Sequence, residues 1–226
     1  MKLLIDSVDV AGIKRIDDLY PIDGVTCNPS ILAKEKRNPY EVLNEIREII
    51  KDRELHVQVI NTDADKIVEE GKFIAKKLGK KTFIKIPVTP QGLKAIKILS
   101  NEGYNVTATA IYMPMQGWLA AKAGAKCLAP YVNRIDNMGY DGVKVAKEIH
   151  DLCIKNNLDS GLLAASFKNS QQVLDLALYG VKAVTCSIDV IDNFLKNVAV
   201  TSAVEAFTKD FYDLCGDNSD MISIGK

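Results

Sequence analysis

The stretch TFIKIPVTPQGLKAIKIL, residues 82–99, changes character part-way along. It opens with a short apolar run, Phe83 to Val88, of the kind that fills a strand covered on both faces. Thr89-Pro90 then supplies a helix start: a hydroxyl to cap the first turn and a proline where no N–H is needed. QGLKAIKIL reads as the helix itself. The same rhythm extends outward in both directions. Runs rich in β-branched residues begin near residues 2, 23, 55, 82, 105, 127, 161 and 182. Helical periodicity fills the intervals, as in Ile67, Gly71, Ile74, Ala75 and Leu78. Thr62-Asp63 and Asn169 with Gln172 repeat the start signal, and Gly79, Gly103, Gly124 and Gly180 mark helix ends.

Strands that alternate with helices predict an α/β fold with a parallel sheet. Eight such units close into a (β/α)8 TIM barrel using about 200–250 residues, and the chain has 226. The expectation is therefore a single barrel domain over residues 1–226, without a linker. An additional C-terminal helix over 200–214 would cap the barrel or reach a neighbouring subunit. The competing doubly wound fold carries a Gly-rich phosphate loop after its first strand, and Asp6-Ser7-Val8-Asp9 is not one.

Composition narrows the function. Apolar residues make up 47% and charged residues 26%, which suits a folded soluble domain. Lys plus Arg and Asp plus Glu both number 29, so the chain lacks the basic excess of a nucleic-acid binder. The uncharged run from Gly103 to Ala121 is interrupted by polar residues and a proline, so no membrane span is expected. The start MKLLIDSVDV reaches Asp6 too soon for a signal-peptide core. Five scattered cysteines without a CxxC pair suggest neither zinc nor disulfides, and fit reduced thiols in a cytoplasm.

Polar residues inside a barrel carry the chemistry. Side chains two apart on a strand share a face, which groups Leu4 with Asp6, Phe83 with Lys85, and Thr107 with Thr109. It also groups Ala129 with Tyr131, Ala164 with Ser166, His56 with Gln58, and Thr26 with Asn28 if that strand runs on. Ile5, Ile84, Ala108 and Ala165 would then face the helices. Each inward set ends in a polar residue at the strand's C-terminal end, where barrel enzymes place their active sites.

Lys85 is the sharpest case. Among apolar neighbours its ammonium form is disfavoured, and a neutral amine is what Schiff-base chemistry needs. A lysine paired with Asp6, or one that reaches out to solvent, is the plain alternative. Asp6 would equally serve as the cap of the following helix. Arg134 has the planar fork that suits a phosphate, against a structural pair with Asp136. Ser166 and Lys168 stand before a helix start at Asn169, a natural anion site. His56 and His150 receive no catalytic role, and the KKLGKK run at 76–81 reads as a solvated helix end.

With these residues assembled, the chain resembles the transaldolase family, and within it the short fructose-6-phosphate aldolase branch. The carrying motifs are GVTCNPSIL at 24–32, the Lys85 segment, APYVNRID at 129–136 and LLAASFKN at 162–169. The resemblance implies a Schiff base on Lys85, with Asp6 handling protons and Thr26 and Asn28 around the substrate. It implies a catalytic water on Thr109, with Gln58 and Tyr131 completing that network. Arg134, Ser166 and Lys168 would hold a phosphate. It further implies a decamer of two pentameric rings, with the C-terminal helix reaching a neighbouring subunit. Gln58 and Tyr131 match the aldolase branch, since transaldolases proper carry glutamate and phenylalanine there. Cys27 departs from the usual threonine.

The leading expectation is a class I aldolase that needs no cofactor and no metal, acting on fructose 6-phosphate and dihydroxyacetone. A transaldolase passing the dihydroxyacetone unit to erythrose 4-phosphate is the second reading. A non-catalytic sugar-phosphate-binding barrel is the third, and a desolvated lysine speaks against it.

Overall fold

In the computed structural model, which describes all 226 residues, eight parallel strands close into a barrel in chain order. The strands are β1 (Lys2–Asp6), β2 (Gly24–Thr26), β3 (Glu54–Gln58) and β4 (Thr82–Pro87), then β5 (Val106–Ile111), β6 (Cys127–Pro130), β7 (Gly161–Ala164) and β8 (Ala183–Cys186). Between them lie α1 (Val10–Leu19), α2 (Pro29–Leu32), α3 (Pro39–Ile50), α4 (Ala64–Leu78), α5 (Pro90–Asn101) and α6 (Pro114–Lys122). They continue with α7 (Val132–Asp136), α8 (Gly142–Lys155), α9 (Ser170–Tyr179) and α10 (Ile188–Asp192). Every strand falls within a residue or so of its expected start. β1 pairs with β8 to complete the closure.

The helix starts form where the side chains dictate. Asp63, Thr89 and Asn169 each accept a backbone N–H of the first turn, satisfying donors that the helix itself cannot. Pro29, Pro39, Pro90 and Pro114 open α2, α3, α5 and α6. Gly92 lets α5 start against β4, because a Cβ there would lie 2.0 Å from the Pro87 carbonyl oxygen.

Two apolar layers divide the work. Ile5, Val25, Ile84, Ile86, Ala108, Leu128 and Val184 belong to the large cluster between strands and helices. Fully burying an aliphatic side chain of this kind contributes about 1.5–3 kcal/mol. The barrel interior has only a small apolar cluster, Leu4, Leu163 and Ala183, with Cys127 against it. Most of the remaining interior is polar and dry: Thr26, His56, Lys85, Thr107, Thr109 and Thr185 are all buried.

His56 anchors the lower part of that interior. Its ring stacks on Phe83 with centroids 4.4 Å apart, and its Nδ1 lies 2.8 Å from the Thr107 hydroxyl. Nε2 meets Glu54 at 3.4 Å, and Glu54 also takes Lys2. Burial lowers the imidazole to about 4 from 6.5, and the Glu54 hydrogen bond only partly offsets this. The unfolded chain therefore takes up this proton first. Stability held above pH 6.5 is lost as pH falls through 6.5 towards 4, by about 3 kcal/mol at about 1.4 per pH unit. Glu54 is held below the usual carboxylate range: burial pushes it up, but hydrogen bonds from His56 and Lys2 outweigh that. Its contribution is lost in the same direction, at lower pH. Urea midpoints should thus drop between pH 6.5 and 4.5, and His56→Gln, which keeps an amide for Thr107, should flatten that drop. Parallel pH profiles in the two proteins would refute the account.

The barrel lies in a compact unit of residues Met1–Ile191, and Asp192–Lys226 forms a second unit. That unit holds α11 (Val198–Cys215), slightly longer than the expected 200–214, and α12 (Met221–Ile224). Val200, Val204, Phe207 and Leu214 recur at helical spacing along α11, and all are exposed. No helix is long and apolar enough to cross a membrane.

Candidate active site

Lys85 points into the barrel while its neighbours Ile84 and Ile86 pack outward. Only 3% of it is exposed. Its Nζ donates to the Cys27 carbonyl at 2.8 Å, not to the Asp6 carboxylate, so the lysine–Asp6 ion pair is absent. In register, Lys85 stands between Gln58 on β3 and Thr107 on β5. The Cys27 thiol joins the outer cluster, pushed up to about 12 by burial, so it is inert while its carbonyl serves the site.

Asp6 is free of capping duty, because Asp9 caps α1 by accepting from Gly12. Thr26 donates its hydroxyl to Asp6 at 2.8 Å, and lies 2.8 Å from the Thr185 hydroxyl. A hydroxyl has one proton, so Thr185 must be the donor to Thr26. This chain of three orients the carboxylate. Thr185 was missed in the sequence reading, although Ala183 and Thr185 alternate inward on β8 just as Thr107 and Thr109 do on β5.

Opposite stands a second pair. Thr109 and the Tyr131 hydroxyl are 2.9 Å apart. Tyr112 meets the Tyr131 ring edge-to-face at 5.6 Å, and the Arg134 guanidinium lies 4.6 Å from its centroid. The ring is fixed from two sides, which aims its hydroxyl.

Arg134 does not pair with Asp136. Both lie on α7, where residues two apart point in different directions. Asp136 accepts from the Gly142 N–H at 2.7 Å and from Gln172 Nε2 at 2.6 Å, so both its oxygens are engaged elsewhere. The Arg134 guanidinium is left exposed. The neighbouring loop carries Ser166, whose φ of 62° is left-handed. That turn corrects the expected face of β7. Leu163 packs in the inner cluster and Ala164 in the outer one, so Ala165 points inward and Ala164 towards the helices. Ser166 lies on that turn, beyond the end of β7 and outside the strand's alternation. Asn133 N donates to the Ser166 carbonyl at 2.7 Å, tying the Arg134 and Ser166 loops together. Lys168 is exposed at the start of α9.

Asn28 also differs from its strand reading. β2 ends at Thr26, and Asn28 caps α2 with its side-chain oxygen on Ile31 N at 3.1 Å. No three His, Cys, Asp or Glu side chains converge as a metal site.

The barrel interior thus holds the buried Lys85, the Asp6–Thr26–Thr185 chain and the Thr109–Tyr131 pair, with the exposed Arg134 guanidinium packed on the Tyr131 ring. The sequence profile of the transaldolase/fructose-6-phosphate aldolase family matches residues 3–223. The chain belongs to that family. Members of the transaldolase/fructose-6-phosphate aldolase family are enzymes acting on sugar phosphates, so the activity is of aldolase or transaldolase type. The match takes in both the barrel and most of the C-terminal unit.

A cavity of about 340 Å³ lies beside β3, lined by Pro29, Leu32, Tyr40, Val57, Gln58 and Ile74 among others. Of the family's candidate site residues it touches Gln58 alone. Its walls are mainly apolar, with Lys36, Arg37 and Glu70 also on its lining.

Proposed function

We propose that the chain is a class I aldolase that cleaves fructose 6-phosphate to dihydroxyacetone and glyceraldehyde 3-phosphate, and runs the reverse addition. The supporting observation is the surroundings of the buried Lys85: an amide, Gln58, beside it on β3, and the Tyr131–Thr109 pair on the side of β5 and β6. Lys85 Nζ attacks C2, and loss of water gives an iminium. Removal of the C4 hydroxyl proton breaks C3–C4, and the electron pair moves to the iminium nitrogen, leaving an enamine. Glyceraldehyde 3-phosphate departs.

The enamine then takes a proton at C3 from a water aligned by Thr109, Tyr131 and Gln58. Hydrolysis at C2 frees dihydroxyacetone and Lys85. Asp6, held by Thr26, moves protons at the carbinolamine steps, and Thr26 and the Asn28 amide contact the substrate's hydroxyls. Arg134, Ser166 and Lys168 hold the phosphate. Five free thiols fit a cytoplasmic enzyme. The exposed apolar face of α11 suits a homo-oligomer, a decamer by the family resemblance.

The deciding experiment incubates the protein with fructose 6-phosphate, with and without erythrose 4-phosphate, and identifies every product. Free dihydroxyacetone without an acceptor is the expected result. Sedoheptulose 7-phosphate formed only with the acceptor, and no free dihydroxyacetone, would make the chain a transaldolase.

A further inference from the structure

We propose that Gln172 is a positioning residue for the substrate's phosphate, fixing the Ser166–Lys168 loop against the Arg134 loop through Asp136. This rests on the phosphate reading given above. The geometry is a short relay. The Lys168 N–H donates to Gln172 Oε1 at 2.8 Å, and Gln172 Nε2 donates to Asp136 Oδ2 at 2.6 Å. Asp136 Oδ1 accepts the Gly142 N–H at 2.7 Å. One side-chain amide therefore accepts from the loop after β7 and donates to the segment carrying Arg134.

The ends of the relay are rigid. Gln172's own backbone N–H is held by the Asn169 cap at 3.0 Å, which sets its side chain back over the start of α9. Gly142 opens α8 so close to Val132 that a Cβ would lie 2.1 Å from its carbonyl oxygen. Asp136 meets that helix start through its bond from the Gly142 N–H. That engagement also keeps the carboxylate off Arg134, whose fork must stay unpaired to receive an anion. Gln172 thus does two things through Asp136: it spaces the loops and it keeps Arg134 available. An amide is the required group, since the position needs one acceptor and one donor.

The test compares three changes by steady-state kinetics with fructose 6-phosphate and by borohydride trapping with unphosphorylated dihydroxyacetone. Arg134→Ala sets the scale for loss of a phosphate contact. Gln172→Ala should raise KM for fructose 6-phosphate about ten-fold, with kcat nearly unchanged and dihydroxyacetone trapping unaltered. Gln172→Glu should do more harm, because two carboxylates then face each other. Adding Asp136→Asn to Gln172→Glu should restore KM, since the asparagine amide donates to the glutamate and its oxygen still takes Gly142. Thermal midpoints separate this selective effect from general loosening, and the double variant carries the test if Gln172→Ala does not fold. If Arg134→Ala discriminates between the two substrates and the Gln172 variants do not, the positioning role is overturned alone. Should Arg134→Ala affect both substrates equally, the phosphate reading falls and this inference with it.

Discussion

Borohydride added to the protein with dihydroxyacetone will fix a reduced three-carbon adduct on Lys85, and peptide mass mapping will find it nowhere else. The reasoning is chemical. An imine needs an amine with a free electron pair, and the chain has many lysines, nearly all solvated at the surface. Lys85 alone combines 3% exposure with a place at the mouth end of a barrel strand. Its one hydrogen bond, to the Cys27 carbonyl, holds Nζ in position inside the barrel. Lys85→Met should lower cleavage of fructose 6-phosphate by at least about a thousand-fold, since no other group can form the covalent intermediate. The fold should survive, because methionine fills similar volume among the same neighbours. Labelling at another lysine, or substantial activity in Lys85→Met, would remove the covalent mechanism.

How much of this was legible beforehand depends on the range of the interaction concerned. The eight strands and their order follow from local period, and period is a property of neighbouring residues. Strand alternation places Lys85, Asp6, Gln58, Thr109 and Tyr131 on the inward face, and it holds wherever the backbone stays extended. It fails at Ser166, because a left-handed φ redirects the chain and nothing in LLAASFKN announces that turn. Residues Arg134 and Asp136 invite pairing by proximity in the sequence, but the short helix α7 turns them apart. Asp136 finds Gln172 instead, 36 residues away, a contact that only the closed barrel creates. Thr185 obeys the same alternation, two residues beyond the inward Ala183 on β8. Asn28 falls outside alternation as well, because β2 ends at Thr26 and its side-chain oxygen caps a helix.

Replacing Tyr131 by phenylalanine should uncouple the two halves of the reaction. The enamine left after C3–C4 cleavage has two fates: it is quenched by a proton, giving free dihydroxyacetone, or it attacks a second aldehyde. Gln58 stands next to Lys85 but an amide does not exchange protons as a carboxylate does. The quenching proton must come through another group, and the Tyr131 hydroxyl, 2.9 Å from Thr109, is placed to align a water for it. Phenylalanine keeps the ring, and with it the edge contact to Tyr112 and the packing of Arg134, so the phosphate site and the fold should be preserved. Only the hydroxyl is lost. General acid–base groups contribute about 10²–10⁴-fold, so release of dihydroxyacetone should fall by at least about a hundred-fold. Imine trapping on Lys85 should continue unchanged, since that step does not use Tyr131. A longer-lived enamine should then be captured by added erythrose 4-phosphate, and sedoheptulose 7-phosphate should rise as free dihydroxyacetone falls. If release and transfer decline in equal proportion, Tyr131 only shapes the pocket, and the proton must reach the enamine by a path that starts at Asp6.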